Sequence, residues 1–107
     1  MTTHSHSSVH NHAVDLLKKI SRLKTGGISA LNGNTMQDTT LIGMRTASAK
    51  LVQSITDNRP LYEVRDRCDE LSGVIDTGAL VGIISQVEIK DFHTLIDNLR
   101  DEIDTEY

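Results

Sequence analysis

The sequence predicts an all-α protein, a small bundle of about four amphipathic helices, and three observations support this fold class. Apolar residues recur at alternating steps of three and four in four separate segments, which places them on one face of a helix in each. The 107 residues include a single Pro, so strong helix breakers are rare. Aromatic residues make up 3% of the chain, so the predicted core is aliphatic. A chain of this length forms one domain, here predicted over 8–107 after a disordered His/Ser-rich tail, 1–7.

The first helix is predicted over 8–24, and Gly26-Gly27 is predicted to stop it. Its apolar seam contains Val9, Ala13, Leu16, Ile20 and Leu23. The following segment, 25–37, contains the turn signal Asn32-Gly33-Asn34 and is predicted to be irregular.

The second helix is predicted over 38–56, with Asp38, Thr39 or Thr40 as its N-cap. Its seam contains Leu41, Met44, Ser48, Leu51 and Ile55. Pro60 disfavours a helical conformation at Arg59 and therefore separates this helix from the next.

The third helix is predicted over 60–75, because Pro suits the first turn of a helix. Its seam contains Leu61, Val64, Cys68, Leu71 and Ile75. Cys68 is the only cysteine, so we expect a buried structural thiol and a reducing compartment.

The segment 76–84 is predicted as a short helix or turn capped by Asp76 or Thr77, with a short strand as the alternative. The last helix is predicted over 86–103, because Ser85 and Glu88 match a capping box. Its seam contains Ile89, Phe92, Ile96, Leu99 and Ile103.

The net charge of −4 conceals an asymmetry between the two halves of the chain. Residues 1–59 carry seven Lys/Arg and three Asp, whereas residues 60–107 carry four Lys/Arg and twelve Asp/Glu. A basic half and an acidic half attract each other within one chain or between chains, and two unrelated solvated faces are the alternative interpretation.

The pattern predicts no catalytic residue, no cofactor and no metal site, and we expect a protein that is not an enzyme. His4, His6, His10 and His12 are interpreted as part of a solvated tail, with weak metal binding as the alternative. The longest apolar stretch, 78–84, falls far short of the ~20 residues that a membrane span needs. We therefore expect no membrane partner and a cytoplasmic protein, bacterial or in a host cell.

The function predicted is that of a small protein-interaction module, an adaptor, inhibitor or regulator, and small acidic helical proteins of this kind are common among phage and mobile-element accessory factors. Self-association into a dimer or higher oligomer is expected through the third or fourth helix. The predicted interface residues are Ile89, Phe92, His93, Ile96, Leu99, Ile103, Leu61, Val64 and Leu71.

Two alternative functions remain open at the level of sequence. The first is an oligomer that binds a small ligand or nucleotide with the 25–37 loop and the basic end of the first helix. Its candidate contacts are Lys18, Arg22, Lys24, Gly26 and Gly27. The second is a DNA-associated regulator, although an acidic chain with few aromatic residues argues against a nucleic-acid partner.

Overall fold

Four helices follow one another in a computed structural model of the protein, which describes residues 7–23 and 35–106. They are α1 (Ser7–Ser21), α2 (Thr35–Thr56), α3 (Leu61–Leu80) and α4 (Gln86–Glu106). This confirms the predicted all-α fold, and the described segments contain no strand. The predictions for the N-terminal tail through residue 6, for the Gly26-Gly27 stop and for most of the 25–37 loop lie outside the described residues.

The predicted apolar seams form the core. Every seam residue is buried, apart from Leu23, Leu61 and Ile89, which are partly buried and pack against the same cluster. Phe92 is the largest fully buried side chain, and aliphatic residues from all four helices surround it in the cluster. The periodicity of three and four therefore predicted the inward face of each helix correctly.

The helices form a ring in which α1 packs on α2 and α4, and α3 packs on α2 and α4. Neighbouring helices are antiparallel, as shown by hydrogen bonds that join the beginning of one helix to the end of its neighbour. Examples are Ser8 with Glu102, Gln37 with Val81, and Arg65 with Asp104. The result is an up-down-up-down four-helix bundle.

The α2/α3 interface is the most extensive of the four, and glycines lie along it. A Cβ atom on Gly43 would lie 3.6 Å from Val74. Gly78 is more constrained, since its Cβ would lie 3.0 Å from Ile84 Cδ1 and from Met44 Sδ. Small residues at these positions let the two helix backbones approach closely.

Two predicted boundaries near the first loop are wrong. Helix α1 ends at Ser21 rather than at residue 24, because the amides of Arg22 and Leu23 bond three residues back, to Lys19 and Ile20, and tighten the last turn. Helix α2 begins at Thr35, so Asp38, and Thr39 and Thr40 after it, lie inside the helix instead of capping it.

Helix α3 continues to Leu80, five residues beyond its predicted end. Asp76 and Thr77 are therefore interior helical residues and cap no separate helix. The actual stop is Gly82, which adopts φ +85, and the amide of Ile83 bonds the Gly78 carbonyl at 2.9 Å. This is a Schellman ending, in which glycine occupies the left-handed position.

Helix α4 begins where the capping box predicts. The Ser85 hydroxyl accepts from the Glu88 amide at 3.1 Å, and the Glu88 carboxylate accepts from the Ser85 amide at 3.0 Å. The helix extends to Glu106, three residues past the predicted end. None of the helices in the described segments is long and apolar enough to cross a membrane.

Candidate functional site

Most of the residues predicted to contact a partner lie in the core of the bundle. Six of them have exposed fractions of 0–1%: Phe92, Ile96, Leu99, Ile103, Val64 and Leu71. Each seam faces two neighbouring helices in a four-membered ring, so the chain covers these side chains by itself. In this fold a partner reaches none of the six, and an interface has to be sought among other residues.

His93, also a predicted interface residue, belongs to a ladder of polar side-chain pairs between α3 and α4. Its Nε2 atom lies 2.7 Å from Asp76 Oδ1. From one pair to the next, the residue number rises by four and then by seven along α3 and falls by the same amounts along α4. The pairs therefore share one antiparallel register. The pairs are Arg65–Asp104, Asp69–Arg100 and Asp76–His93.

The residues predicted to bind a small ligand are only partly described. Lys18 and Arg22 are exposed, and neither forms an ion pair in the described segments. Lys24, Gly26 and Gly27 lie outside the described residues. Lys19, which lies between Lys18 and Arg22 in the sequence, places its ammonium 5.2 Å from the centre of the Phe92 ring, a cation–π distance.

Three strongly exposed apolar side chains gather at one end of the bundle. Met36 lies in the first turn of α2, Leu80 is the last residue of α3, and Val87 lies in the first turn of α4, with exposed fractions of 67%, 85% and 72%. We call these three residues the apolar end. Ile42, 61% exposed, lies further along α2.

Sequence periodicity missed the apolar end because its members stand outside the seams. Val87 and Met36 are apolar residues in the first turns of helices whose seams begin later. An apolar residue outside the seam of its helix was the feature of the sequence that could have indicated an exposed position. Leu80 was hidden by the wrong end assigned to the third helix.

The backbone around the apolar end is well supported. The Gln37 amide donates to the Val81 carbonyl at 2.7 Å and so ties the start of α2 to the end of α3. Gly82 and the capping box at Ser85 define the turn that follows. The exposed side chains therefore project from helix ends that hydrogen bonds hold together, as a binding surface requires.

The two long sides of the bundle carry opposite charge. Segments 7–23 and 35–56, which form the basic side, contain five Lys/Arg and two Asp. Helices α3 and α4, which form the acidic side, contain twelve Asp/Glu and four Lys/Arg. Since α1 neighbours α2 and α3 neighbours α4, the asymmetry along the chain becomes an asymmetry across the molecule.

Ser8, His12 and Glu102 meet at the end of the bundle opposite the apolar end. The Ser8 hydroxyl donates to Glu102 Oε2 at 2.6 Å, and His12 Nδ1 contacts Oε1 of the same carboxylate. The hydrogen bond from Ser8, followed by that of His12, lowers the pKa of Glu102 although partial burial opposes the shift. Both partners bind the carboxylate and the serine does not contact the imidazole, so the group joins α1 to α4 and lacks a nucleophile–base pair.

Cys68 is fully buried in the α3 seam, as predicted. Burial raises the pKa of its thiol to about 11, although the positive charge of Arg100 opposes this shift. A thiol in that state is a poor nucleophile, so Cys68 acts as a small core residue.

The described segments contain no cluster of three or more His, Cys, Asp or Glu residues arranged to hold a metal ion. Comparisons with protein-family models, with curated proteins and with solved structures found no match to this chain. The functional argument therefore rests on the geometry of the bundle and its surface.

Proposed function

We propose that the protein is a small interaction module that acts by binding, and that its partner at the apolar end is a second copy of itself. The observation that carries this proposal is that Met36, Leu80 and Val87, exposed to 67%, 85% and 72%, all lie at the same end of the bundle. Single exposed apolar residues are ordinary, whereas several at one end of a molecule are typical of an interaction surface.

The charge distribution favours a second copy as the occupant. In this dimer the two copies meet end to end, related by a two-fold axis that is perpendicular to the helices and parallel to the basic side. Helix α1 of one copy then lies opposite α4 of the other, and α2 lies opposite α3. Each basic side then continues into the acidic side of the partner. Lys18 and Arg22, exposed at the α1 end and free of ion pairs in the described segments, lie on the basic edge of this contact.

The size of the end indicates a reversible association. The bundle measures 24 × 20 Å across its long axis, so a contact made through one end of it is small. Stable complexes bury about 800 Å² on each partner, and smaller contacts are transient. A weak, salt-sensitive dimer suits an adaptor, inhibitor or regulator whose partners exchange.

The test is analytical ultracentrifugation of the purified 107-residue chain over a wide range of concentrations. We expect the wild type to form a dimer as the concentration rises, and Leu80→Lys and Val87→Lys to remain monomeric. Leu80 and Val87 are so exposed that both variants should fold, which circular dichroism and thermal unfolding would verify. Added salt should weaken the wild-type dimer, because opposite charges meet across it.

Tyr62→Lys is the matched control, since Tyr62 is 68% exposed in the first turn of α3, at the opposite end of the bundle. This variant should dimerise like the wild type. A wild type that stays monomeric at every concentration would contradict the proposal. So would a Tyr62→Lys variant that loses association while folded Leu80→Lys retains it.

A further inference from the structure

A polar cavity of about 300 Å³ opens between the last turns of α2 and the first turns of α3, beside the 57–60 turn. Helix α2, the turn and helix α3 all contribute side chains to it. The residues that line it are Lys50, Gln53, Ser54, Asp57, Arg59, Glu63 and Arg67. Nothing in the proposed dimer uses this cavity, which lies at the other end of the bundle.

Three cationic side chains converge on the cavity from three different elements. Lys50 comes from α2, Arg59 from the turn and Arg67 from α3. Two carboxylates, Asp57 and Glu63, also line it, so the lining residues themselves sum to one positive charge, and Glu70, outside the lining, pairs with Arg67. The sequence placed Lys50 and Arg67 seventeen positions apart, and only the antiparallel packing of α2 on α3 brings them to one cavity.

Both carboxylates of the cavity already have partners. Glu63 accepts from Arg59 Nε and Nη2 at about 3.0 Å, and this hydrogen bonding lowers the pKa of Glu63. The Asp57 carboxylate accepts from the Gln53 amide at 2.8 Å. Glu63 is therefore neutralised by Arg59, whereas Asp57 is held in place by a neutral amide and keeps its charge.

The cations keep donors to spare. Lys50 forms no ion pair in the part of the chain that the structure describes. Arg67 donates through Nη1 to Glu70 at 3.3 Å, which leaves its other guanidinium N–H groups, and Arg59 uses only Nε and Nη2 on Glu63. An ammonium and two guanidinium groups with spare donors match the tetrahedral oxygens of a phosphoryl group.

We infer that this cavity binds a small phosphoryl anion, either free phosphate or the phosphate of a small metabolite. A volume of about 300 Å³ lies at the lower end of small-molecule sites and accommodates a phosphate with a short carbon framework. Lys50 holds the anion from α2 and Arg67 from α3. The Schellman ending of α2, in which Arg59 N bonds the Ser54 carbonyl at 2.9 Å, holds the turn between them.

The test is a titration of the full-length protein with inorganic phosphate and with glycerol 3-phosphate, followed by calorimetry and by thermal unfolding. Sodium chloride at matched ionic strength controls for screening. We expect saturable binding and a rise in Tm with at least one phosphoryl compound. Tighter binding of glycerol 3-phosphate would identify a phosphorylated metabolite as the ligand, and tighter binding of phosphate would identify the free anion.

Lys50→Gln and Arg67→Gln should each weaken binding about tenfold or more, because each removes a charge-assisted contact. Arg45→Gln is the matched control, since it removes the same charge from an exposed position of α2 outside the cavity. An equal loss of affinity in all three variants would show that binding depends on the net charge of the protein, and this result would overturn the inference. A response to phosphoryl compounds no larger than that to chloride would also overturn it.

Discussion

The two short turns of the bundle have the same backbone conformation, but charged side chains surround one turn and apolar side chains surround the other. At the 57–60 turn α2 ends with Asn58 in the left-handed region, at φ 55, and at the 81–85 turn α3 ends with Gly82 at φ 85. In each turn the following residue reaches back to close a Schellman motif. The first turn adjoins a charged cavity, and the second adjoins exposed aliphatic side chains.

The turns also differ in how the next helix begins. Helix α3 begins after Pro60 with no side-chain cap, whereas α4 begins with the reciprocal hydrogen bonds of Ser85 and Glu88. A helix ending of one type therefore serves two kinds of surface, and the side chains around it decide what the surface binds. Three predictions would break or sharpen this comparison.

The largest effect is expected from the left-handed positions themselves. Gly82→Ala should lower the free energy of unfolding by about 1–2 kcal/mol, because an L-residue is strained at this φ. The added Cβ would meet only Gln37 Nε2, at an ordinary 3.5 Å, so the cost is conformational. Asn58→Gly should change stability by a few tenths of a kcal/mol, because Asn already tolerates this region. Urea unfolding of both variants measures the difference, and equal effects would show that the turns are not distinguished by their left-handed residue.

A smaller effect is expected at the cap that only the second turn possesses. Ser85→Ala should cost about 1 kcal/mol of stability, because it leaves the Glu88 amide without its acceptor. Ser85→Asp should restore most of the loss, since a carboxylate caps the same amide. Thermal unfolding, with Tm falling by roughly 4–8 °C per kcal/mol, makes the difference measurable. If Ser85→Asp were as unstable as Ser85→Ala, capping of the Glu88 amide would not explain the contribution of Ser85 to stability.

The smallest effect concerns pH and belongs to the end that contains the 57–60 turn. The folded-state pKa of Glu102 is lowered, chiefly by the hydrogen bond from Ser8, so its contribution to stability is present above the unfolded pKa. That contribution is lost as the pH falls through the folded pKa. Glu102→Gln should therefore destabilise the protein by less than about 1 kcal/mol at about pH 7, and by progressively less as the pH falls through the folded-state pKa of Glu102. A difference between wild type and variant that persists in acid would contradict this account.

Much of the fold could be predicted because helix seams and caps are local patterns. Leu16, Leu41 and Leu51 were assigned to helix seams by spacing alone, and the structure buries all three. The start of α4 was predicted from two residues, Ser85 and Glu88. The end of α3 was not, because Asp76 and Thr77 resemble capping residues while the effective stop, Gly82, acts through its backbone conformation.

The candidate sites were far less predictable, and particular residues show why. The seam of α4 was expected to serve a partner, yet the ring of four helices covers Phe92 and Ile96 within the chain. Leu80 and Val87 remain uncovered because they lie at the rim of that ring.

The chain alone thus specified which face of each helix is apolar, where α4 begins and how charge divides between its halves, since these depend on neighbours a few residues apart. The packing of the helices settled which apolar residues stay in contact with water. It also brought Lys50 to Arg67, and Ser8 and His12 to Glu102. Those groups depend on the register and direction of helices distant in sequence, which periodicity does not encode.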